Sequence, residues 1–470
     1  MAYGATAALP QVGLREESGR KKPNFVFILV DDLGWRDVGC YDSSLYETPN
    51  VDRLAAEGMR FTQAYAACPV CSPTRASIMT GKYPARLGLT NYIAGRRTRQ
   101  GSPILPADFL LYMPSDEVTI AEVLRSAGYA TCHVGKWHMG GEKQHLPEDQ
   151  GFDVNVGGTG SGMPRSYFWP QWRGNPPIQG NFDGEYLPDR LSEEARRFIE
   201  ANKDRPFFVY LSHHAVHIPI EGKPEKIARY QSKIEAAPPG KGEQNNPHYA
   251  AMVESVDDSV GRVMETLRRF KIDDRTIVIF FSDNGGLCTP EGKHTPATSN
   301  SPLRAGKGYL YEGGIREPWI VKWPGVVKPS SVCEVPVVSI DFFPTICDMV
   351  GLDRGRIKTK GPTDGVSIIP LLKNPNASLD RKAIYWHYPH FSNQGGRPAG
   401  AIRVGDFKLI ERYEFGTLEL YNLKEDVGET TNLVERMPDK ARELHRMLRL
   451  WRKDVNANMP RPNPNYKPER

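Results

Sequence analysis

A few short stretches of this 470-residue chain carry the residue types that chemistry needs. Asp31-Asp32 and Asp283-Asn284 supply hard oxygen donors. Adjacent carboxylates repel unless a proton or a cation lies between them, so the Asp31-Asp32 pair itself motivates a metal. A set made of Asp31, Asp32, Asp283 and the Asn284 side-chain oxygen suits Ca²⁺, with Mg²⁺ second, rather than zinc. Arg75, Lys136, His138 and His217 supply cations and proton carriers that would surround a tetrahedral anion. Cys71 opens the run Cys71-Ser72-Pro73-Thr74-Arg75-Ala76-Ser77, closed by Thr80-Gly81. The run reads as the start of a helix with proline in its first turn, where the missing N–H does no harm. Cys71 then sits at the positive end of a helix, where anions are favoured.

Each of these residues also has a plainer use. Cys68 and Cys71 form a C-x-x-C that would serve as a redox pair or half of a zinc site, and a lone thiol is most often buried packing. There is no second C-x-x-C, and Cys40, Cys132, Cys288, Cys333 and Cys347 are too scattered to suggest a metal cage. Asp31 as a helix cap and Asp283-Asn284-Gly285 as a turn are the corresponding alternatives for the acidic residues. His133, His213 and His214 read as packing.

The elements that must position these side chains alternate β-branched and aromatic runs with helical patterns, which predicts a large, mostly parallel sheet covered by helices on both faces. Expected strands are Asn24–Val30, Ala130–Val134, Pro206–Leu211 and Thr276–Phe281. Expected helices are Pro49–Glu57, capped by Thr48 and stopped by Gly58, Thr119–Ala127, stopped by Gly128, and the long Pro247–Phe270. Each expected strand runs straight into the polar residues just named, and ligands in open α/β sheets bind beyond the carboxyl ends of the strands. One such junction would be ordinary turn chemistry; four in one chain point to a site. After Asn376 the pattern changes to short strands at Ala383–His387, Gly400–Val404, Phe407–Glu411 and Leu418–Leu423, then a helix from Asp439 to Val455. This reads as a smaller antiparallel sheet with one helix. The division expected is a leader or trimmed signal remnant over 1–23, a catalytic domain over 24–376 and an α+β subdomain with an extended tail over 377–470.

Composition narrows the class. A 25% charged, 39% hydrophobic chain is that of a folded globular protein, and no apolar run approaches the length of a membrane span. The net charge of +5 is dispersed, which speaks against a nucleic-acid partner and is compatible with an anionic substrate.

The Cys71-x-Pro73-x-Arg75 run resembles the signature of the formylglycine-dependent sulfatases, within the alkaline phosphatase superfamily, and the likeness extends from Asn24 to about Leu433. Gly135-Lys136-Trp137-His138 resembles that family's G-K-W-H, and Ala215-Val216-His217-Ile218-Pro219 its H-x-P. Gly306-Lys307-Gly308, followed by Tyr311-Glu312-Gly313-Gly314-Ile315-Arg316-Glu317-Pro318, resembles the segment bearing a last active-site lysine. The resemblance implies an alkaline-phosphatase-like fold. It implies that a maturation enzyme oxidises Cys71 to an aldehyde whose hydrate is the nucleophile. Asp31, Asp32, Asp283, Asn284 and the modified residue 71 would be metal ligands. It implies that Arg75 stabilises the nucleophilic oxygen, that Lys136 and Lys307 hold the sulfate, that His217 protonates the departing alcohol and that His138 assists release of sulfate. A secreted or periplasmic enzyme acting on a sulfated carbohydrate or aryl sulfate is the expectation. A galactose-type or N-acetylgalactosamine-type sugar is suggested by overall resemblance, including Arg86-Leu87-Gly88-Leu89-Thr90 and Trp386-His387. The segments Arg96 to Ser115 and Lys293 to Ala305 would shape the substrate pocket, with Arg97, His294 and Arg304 as candidates and exposed loop positions as the plainer reading of each; Trp386 and His387 are further substrate candidates, with core packing the stronger reading of Trp386. A phosphonate or phosphodiester hydrolase with the same metal and nucleophile, and a non-catalytic glycan-binding relative, are the alternatives.

Overall fold

β1 (Asn24–Val30) is apolar on both faces, the pattern of a strand at the centre of a covered parallel sheet. The computed structural model, which describes residues 22–95 and 101–467, places it there. β1 lies parallel between β6 (Phe207–Ser212) and β7 (Thr276–Ser282). Beyond β6 the sheet continues in parallel through β4 (Ala130–Gly135) to β5 (Val154–Val156). Beyond β7 it continues through β8 (Arg316–Lys322) to β2 (Met59–Tyr65), with the short β9 (Ser331–Cys333) and β10 (Val337–Val338) alongside β2. Within the described residues of this sheet β8 alone runs against the rest, being antiparallel to both β7 and β2. The four strands expected from sequence are present within a residue at each end.

Alternation along β1 divides the core. Val26, Ile28 and Val30 face the helices Pro49–Ala56, Leu187–Asn202 and Pro247–Arg269. Phe25, Phe27 and Leu29 face Cys71–Thr80, Ile120–Ser126 and Phe342–Met349. The helix at 120 begins with the box its sequence predicts, Thr119 accepting the Glu122 N–H while Glu122 accepts that of Thr119. The helix at 49 does not. The Thr48 hydroxyl bonds the Asp52 carboxylate instead, at 3.1 Å, and the first turn is capped from outside by Asp257, which accepts the Asn50 and Val51 N–H groups at 3.0 and 2.8 Å. An ionisable acceptor offered by the long helix outcompetes the local hydroxyl.

The second sheet is antiparallel in the order β11 (Ile384–Tyr388), β12 (Ala399–Val404), β13 (Phe407–Arg412), β14 (Thr417–Asn422), with the helix Pro438–Asp454 against it. A minor ribbon pairs β3 (Ile104–Leu105) with β15 (Arg461–Pro462). The second sheet shares a core with the first through Tyr65, Val70, Ile315, Trp386 and Leu409. A buried ionic cluster joins them as well: Lys408 of β13 lies 2.9 Å from both Glu312 and Glu429. Among the described residues no helix is long and apolar enough to cross a membrane.

Candidate active site

Parallel strands deliver their carboxyl ends to one edge, and the candidate residues collect there. Asp31 and Asp32 follow β1, Lys136 and His138 follow β4, His217 follows β6, and Asp283 and Asn284 follow β7. Cys71 and Arg75 arrive on the helix Cys71–Thr80, and Lys307 on the loop before β8. Asp31 caps no helix and Asp283-Asn284-Gly285 is no surface turn. Both pairs are fully buried, and a Cβ on Gly285 would lie 1.9 Å from the Gly313 carbonyl, so only glycine permits this close approach.

The carboxylates of Asp31, Asp32 and Asp283 offer oxygens within 4.8 Å of one another. Asn284 Nδ2 donates to Asp32 Oδ1 at 2.7 Å, which leaves Asn284 Oδ1 buried with no hydrogen-bond donor; Asp31 Oδ1 is likewise unbonded. Buried oxygens without hydrogen-bond donors, beside a cluster of buried carboxylates, form a donor set that fits a metal ion. As it stands, the cluster is balanced by three basic side chains. Arg75 Nε and Nη2 each lie 2.7 Å from Asp283 Oδ2, and Arg75 Nη1 donates to Ser212 Oγ at 2.6 Å and to the Lys136 carbonyl at 2.9 Å. Lys136 Nζ is 2.5 Å from Asp31 Oδ2, and Lys307 Nζ 2.7 Å from Asp32 Oδ2. Burial pushes Asp31 above the ordinary carboxylate range, only partly offset by Lys136. Burial acts on Asp32 in the same direction, but Lys307 and then His217 outweigh it and hold it below that range.

The two histidines differ in what they can do with a proton. His138 Nε2 lies 2.6 Å from the Ile93 carbonyl, an acceptor only, so this nitrogen carries the hydrogen and Nδ1 turns its lone pair to Cys71 Sγ at 3.3 Å. Burial, then Lys136, holds His138 well below the usual imidazole value, so it stays neutral and can act as a base. His217 Nδ1 donates to the Ile218 carbonyl at 2.9 Å and presents Nε2 toward Asp32 Oδ2, 3.7 Å away. Burial, then Lys307, pushes it down to about 3, against the pull of Asp32. A negative charge brought beside Nε2 would raise that value. Burial also pushes the Cys71 thiol up, which makes it a weak thiolate nucleophile as it stands.

Cys71, His138, His217 and Lys307 line a cavity of about 280 Å³. The substrate candidates are distributed differently from expectation. Trp386 is buried with Nε1 bonded to the Ala66 carbonyl, and His387 is held between Tyr413 and the Asn458 carbonyl; neither lines the cavity. Both are drawn inward because β11 is covered on both faces. Arg304 bonds Tyr421 and the Glu429 carbonyl and stacks on Tyr311, a structural role. His294 lines an adjoining cavity, and Arg97 lies outside the described residues. Tyr92, Ser161, Met163, Glu291, Asn393 and Gln394, which no spacing singled out, form the walls instead. Ser212, bridging Arg75 and the Lys136 carbonyl, was also missed, although it ends a strand directly before the histidine-rich turn.

The family model described as Sulfatase matches residues 23–352, and that described as N-sulphoglucosamine sulphohydrolase, C-terminal, matches residues 305–454. A protein of Formosa agariphila named "Sulfatase" is 34% identical, covering 94% of this chain and 91% of its own. Human N-acetylgalactosamine-6-sulfatase is 33% identical over 80% of this chain and 70% of its own. Among solved structures, Ps i-CgsB in complex with k-i-k-neocarrahexaose superposes with a TM-score of 0.74 at 30% identity, covering 93% of this chain and 94% of that one.

Proposed function

The chain belongs to the sulfatase family, a sulfuric ester hydrolase by that membership, and from this premise we propose that it cleaves carbohydrate sulfate esters with a nucleophile made from Cys71. The observation that carries this reading is the meeting of Cys71, at a helix N-terminus, with the buried oxygen cluster Asp31, Asp32, Asp283 and Asn284. When bound there, a divalent cation, Ca²⁺ or Mg²⁺, and the aldehyde hydrate of an oxidised Cys71 supply a nucleophilic oxygen at neutral pH and a positive field for the sulfate.

The protein's own side chains account for the remaining requirements. Arg75 spends its guanidinium on Asp283 and Ser212, so it fixes the acidic cluster beneath residue 71 and adds its charge from there. Lys136 and Lys307 flank the cluster on opposite carboxylates and can turn their ammonium groups to sulfate oxygens. His138 Nδ1 is placed to take a proton from the side chain at 71. His217 Nε2, protonated when the anionic ester enters, is placed to give one to the departing alcohol. The carbohydrate reading is supported by the likeness to N-acetylgalactosamine-6-sulfatase and to a structure holding a neocarrahexaose. A galactose-type or N-acetylgalactosamine-type ring is our first choice, and the periplasm or exterior of the cell the place where such a substrate would be met.

The test is the mass of the peptide spanning Cys71, from protein coexpressed with a formylglycine-generating enzyme, together with turnover of 4-nitrophenyl sulfate and of an aryl phosphonate. Thiol-to-aldehyde mass loss, sulfate turnover and its disappearance in Cys71→Ala are expected. Full sulfate turnover with an unmodified thiol would refute the nucleophile, and dominant phosphonate turnover the substrate class.

A further inference from the structure

The pocket at Cys71 adjoins a second one. Met163, Ile218 and Glu291 line both it and a cavity of about 580 Å³. Ligand sites span roughly 300–1,000 Å³, so the first cavity is small by that measure and the second is ample. Side by side they offer room for more than one sugar ring.

Charge in the larger cavity is sorted in one direction. Its carboxylates are committed to the protein: Glu221 accepts from Ser166 Oγ at 2.7 Å and from the Tyr167 N–H at 2.9 Å, and Glu291 accepts from the side-chain amides of Asn393 and Gln394. Its cations are uncommitted. Arg165 and Lys293 are exposed, and among the described residues neither side chain forms a hydrogen bond or ion pair. His248 and His294 stack with ring centroids 3.6 Å apart, and both are held below the usual imidazole value by partial burial, with the Lys293 charge adding to it. Neutral flat rings suit the apolar face of a pyranose, and free cations suit a carboxylate or sulfate on it.

We propose that this cavity is a subsite for an anionic sugar unit joined to the one that bears the scissile sulfate, so that the substrate is a multiply charged oligosaccharide rather than a sulfated monosaccharide. The inference rests on the sulfatase reading of the Cys71 pocket. It names what that pocket's neighbour selects.

Two readouts separate the two claims. Turnover of 4-nitrophenyl sulfate by the mature enzyme reports the Cys71 pocket alone; its absence overturns the sulfatase reading on which the subsite rests. Calorimetry on Cys71→Ala protein, which cannot turn over, reads binding of ι-carrageenan and chondroitin 6-sulfate tetrasaccharides against galactose 6-sulfate. At least one tetrasaccharide is expected to bind several-fold more tightly than the monosaccharide, with an advantage that shrinks as salt rises. Adding Arg165→Ala and Lys293→Ala should weaken it roughly five- to tenfold while leaving kcat and KM for 4-nitrophenyl sulfate unchanged in an otherwise wild-type background. Tetrasaccharides that bind no better than the monosaccharide, or equally well to the double variant, would overturn the proposal.

Discussion

Replacing Lys408 by methionine tests whether the second sheet holds the active site together. Lys408 Nζ lies 2.9 Å from Glu312 Oε1 and 2.9 Å from Glu429 Oε1, and all three residues are wholly buried. Glu429 Oε2 also accepts the Glu312 N–H, at 2.6 Å, which draws the two carboxylates to the same spot. Glu312 opens the short helix Glu312–Ile315, whose Gly314 carbonyl takes the Gly285 N–H at 3.2 Å, one residue from Asn284. Removing one partner from a buried ion pair costs about 3–5 kcal/mol. With an unfolding entropy of about 2.1 cal/mol/K per residue, this chain has roughly 1 kcal/mol/K in all, so the melting point should fall by about 3–5 °C. The sign of the pH dependence follows from linkage. Burial already raises Glu429 to about 7 against the pull of Lys408; burial acts on Glu312 in the same direction, but Lys408 leads Arg316 and Arg403 in holding it below the carboxylate range, so loss of the lysine moves both folded-state values up. For Glu429, raised above its unfolded value of about 4.3, stability is intact below that value and lost as pH rises through the folded one, while Glu312 gives up part of the stability it supplied above its unfolded value. The deficit of Lys408→Met should therefore be large at pH 8 and close toward pH 4.5, and turnover of 4-nitrophenyl sulfate should drop with it. Melting curves by circular dichroism at the two pH values decide the matter. A variant within 1 °C of wild type at pH 8, or a deficit of equal size at both, would refute the reasoning.

The cation and the proton donor give two further expectations. Ca²⁺ at one hundred times its dissociation constant should stabilise the EDTA-treated protein by about 2.7 kcal/mol, or about 3 °C in the melt, and the shift should vanish in Asp283→Asn; an equal shift in that variant would move the cation elsewhere. His217→Ala should slow a sugar sulfate about 10²–10⁴-fold while 4-nitrophenyl sulfate, whose phenolate leaves without a proton, suffers far less. Losses of the same size on both esters would remove His217 from leaving-group protonation.

The part of the site that was legible in the sequence is the part in which backbone geometry and chemistry coincide. Asp31-Asp32 and Asp283-Asn284 stand directly after apolar runs of strand length, so a parallel sheet alone brings them to one edge. The cavity walls had no such signal. Tyr92, Met163, Glu291 and Gln394 come from separate loops whose meeting depends on the whole fold, and no periodicity marks them. Trp386 and His387 admitted two readings for a related reason. Residues that suit a sugar equally suit a strand buried on both faces, and only the packing of β11 against Tyr65 and the Ala66 carbonyl decides between the two. β8 was not among the expected strands, since Arg316, Glu317 and Pro318 carry no β-branched or aromatic signal, and only their neighbours on both sides place them in the sheet.

The Cys71 run is legible for the strongest physical reason. Positions 71 and 75 are one helical turn apart and therefore share a face. On that face the structure turns Cys71 to the lone pair of His138 and sets the Arg75 guanidinium on Asp283. A single ten-residue helix thus aligns Cys71 with the acidic cluster beneath it. Arg75 is buried without exposure; its Nε donates to Asp283 and its Nη1 to Ser212 and the Lys136 carbonyl. Lysine there would keep the charge and lose the fork that makes these bonds together, so the run specifies arginine for its shape as much as for its sign.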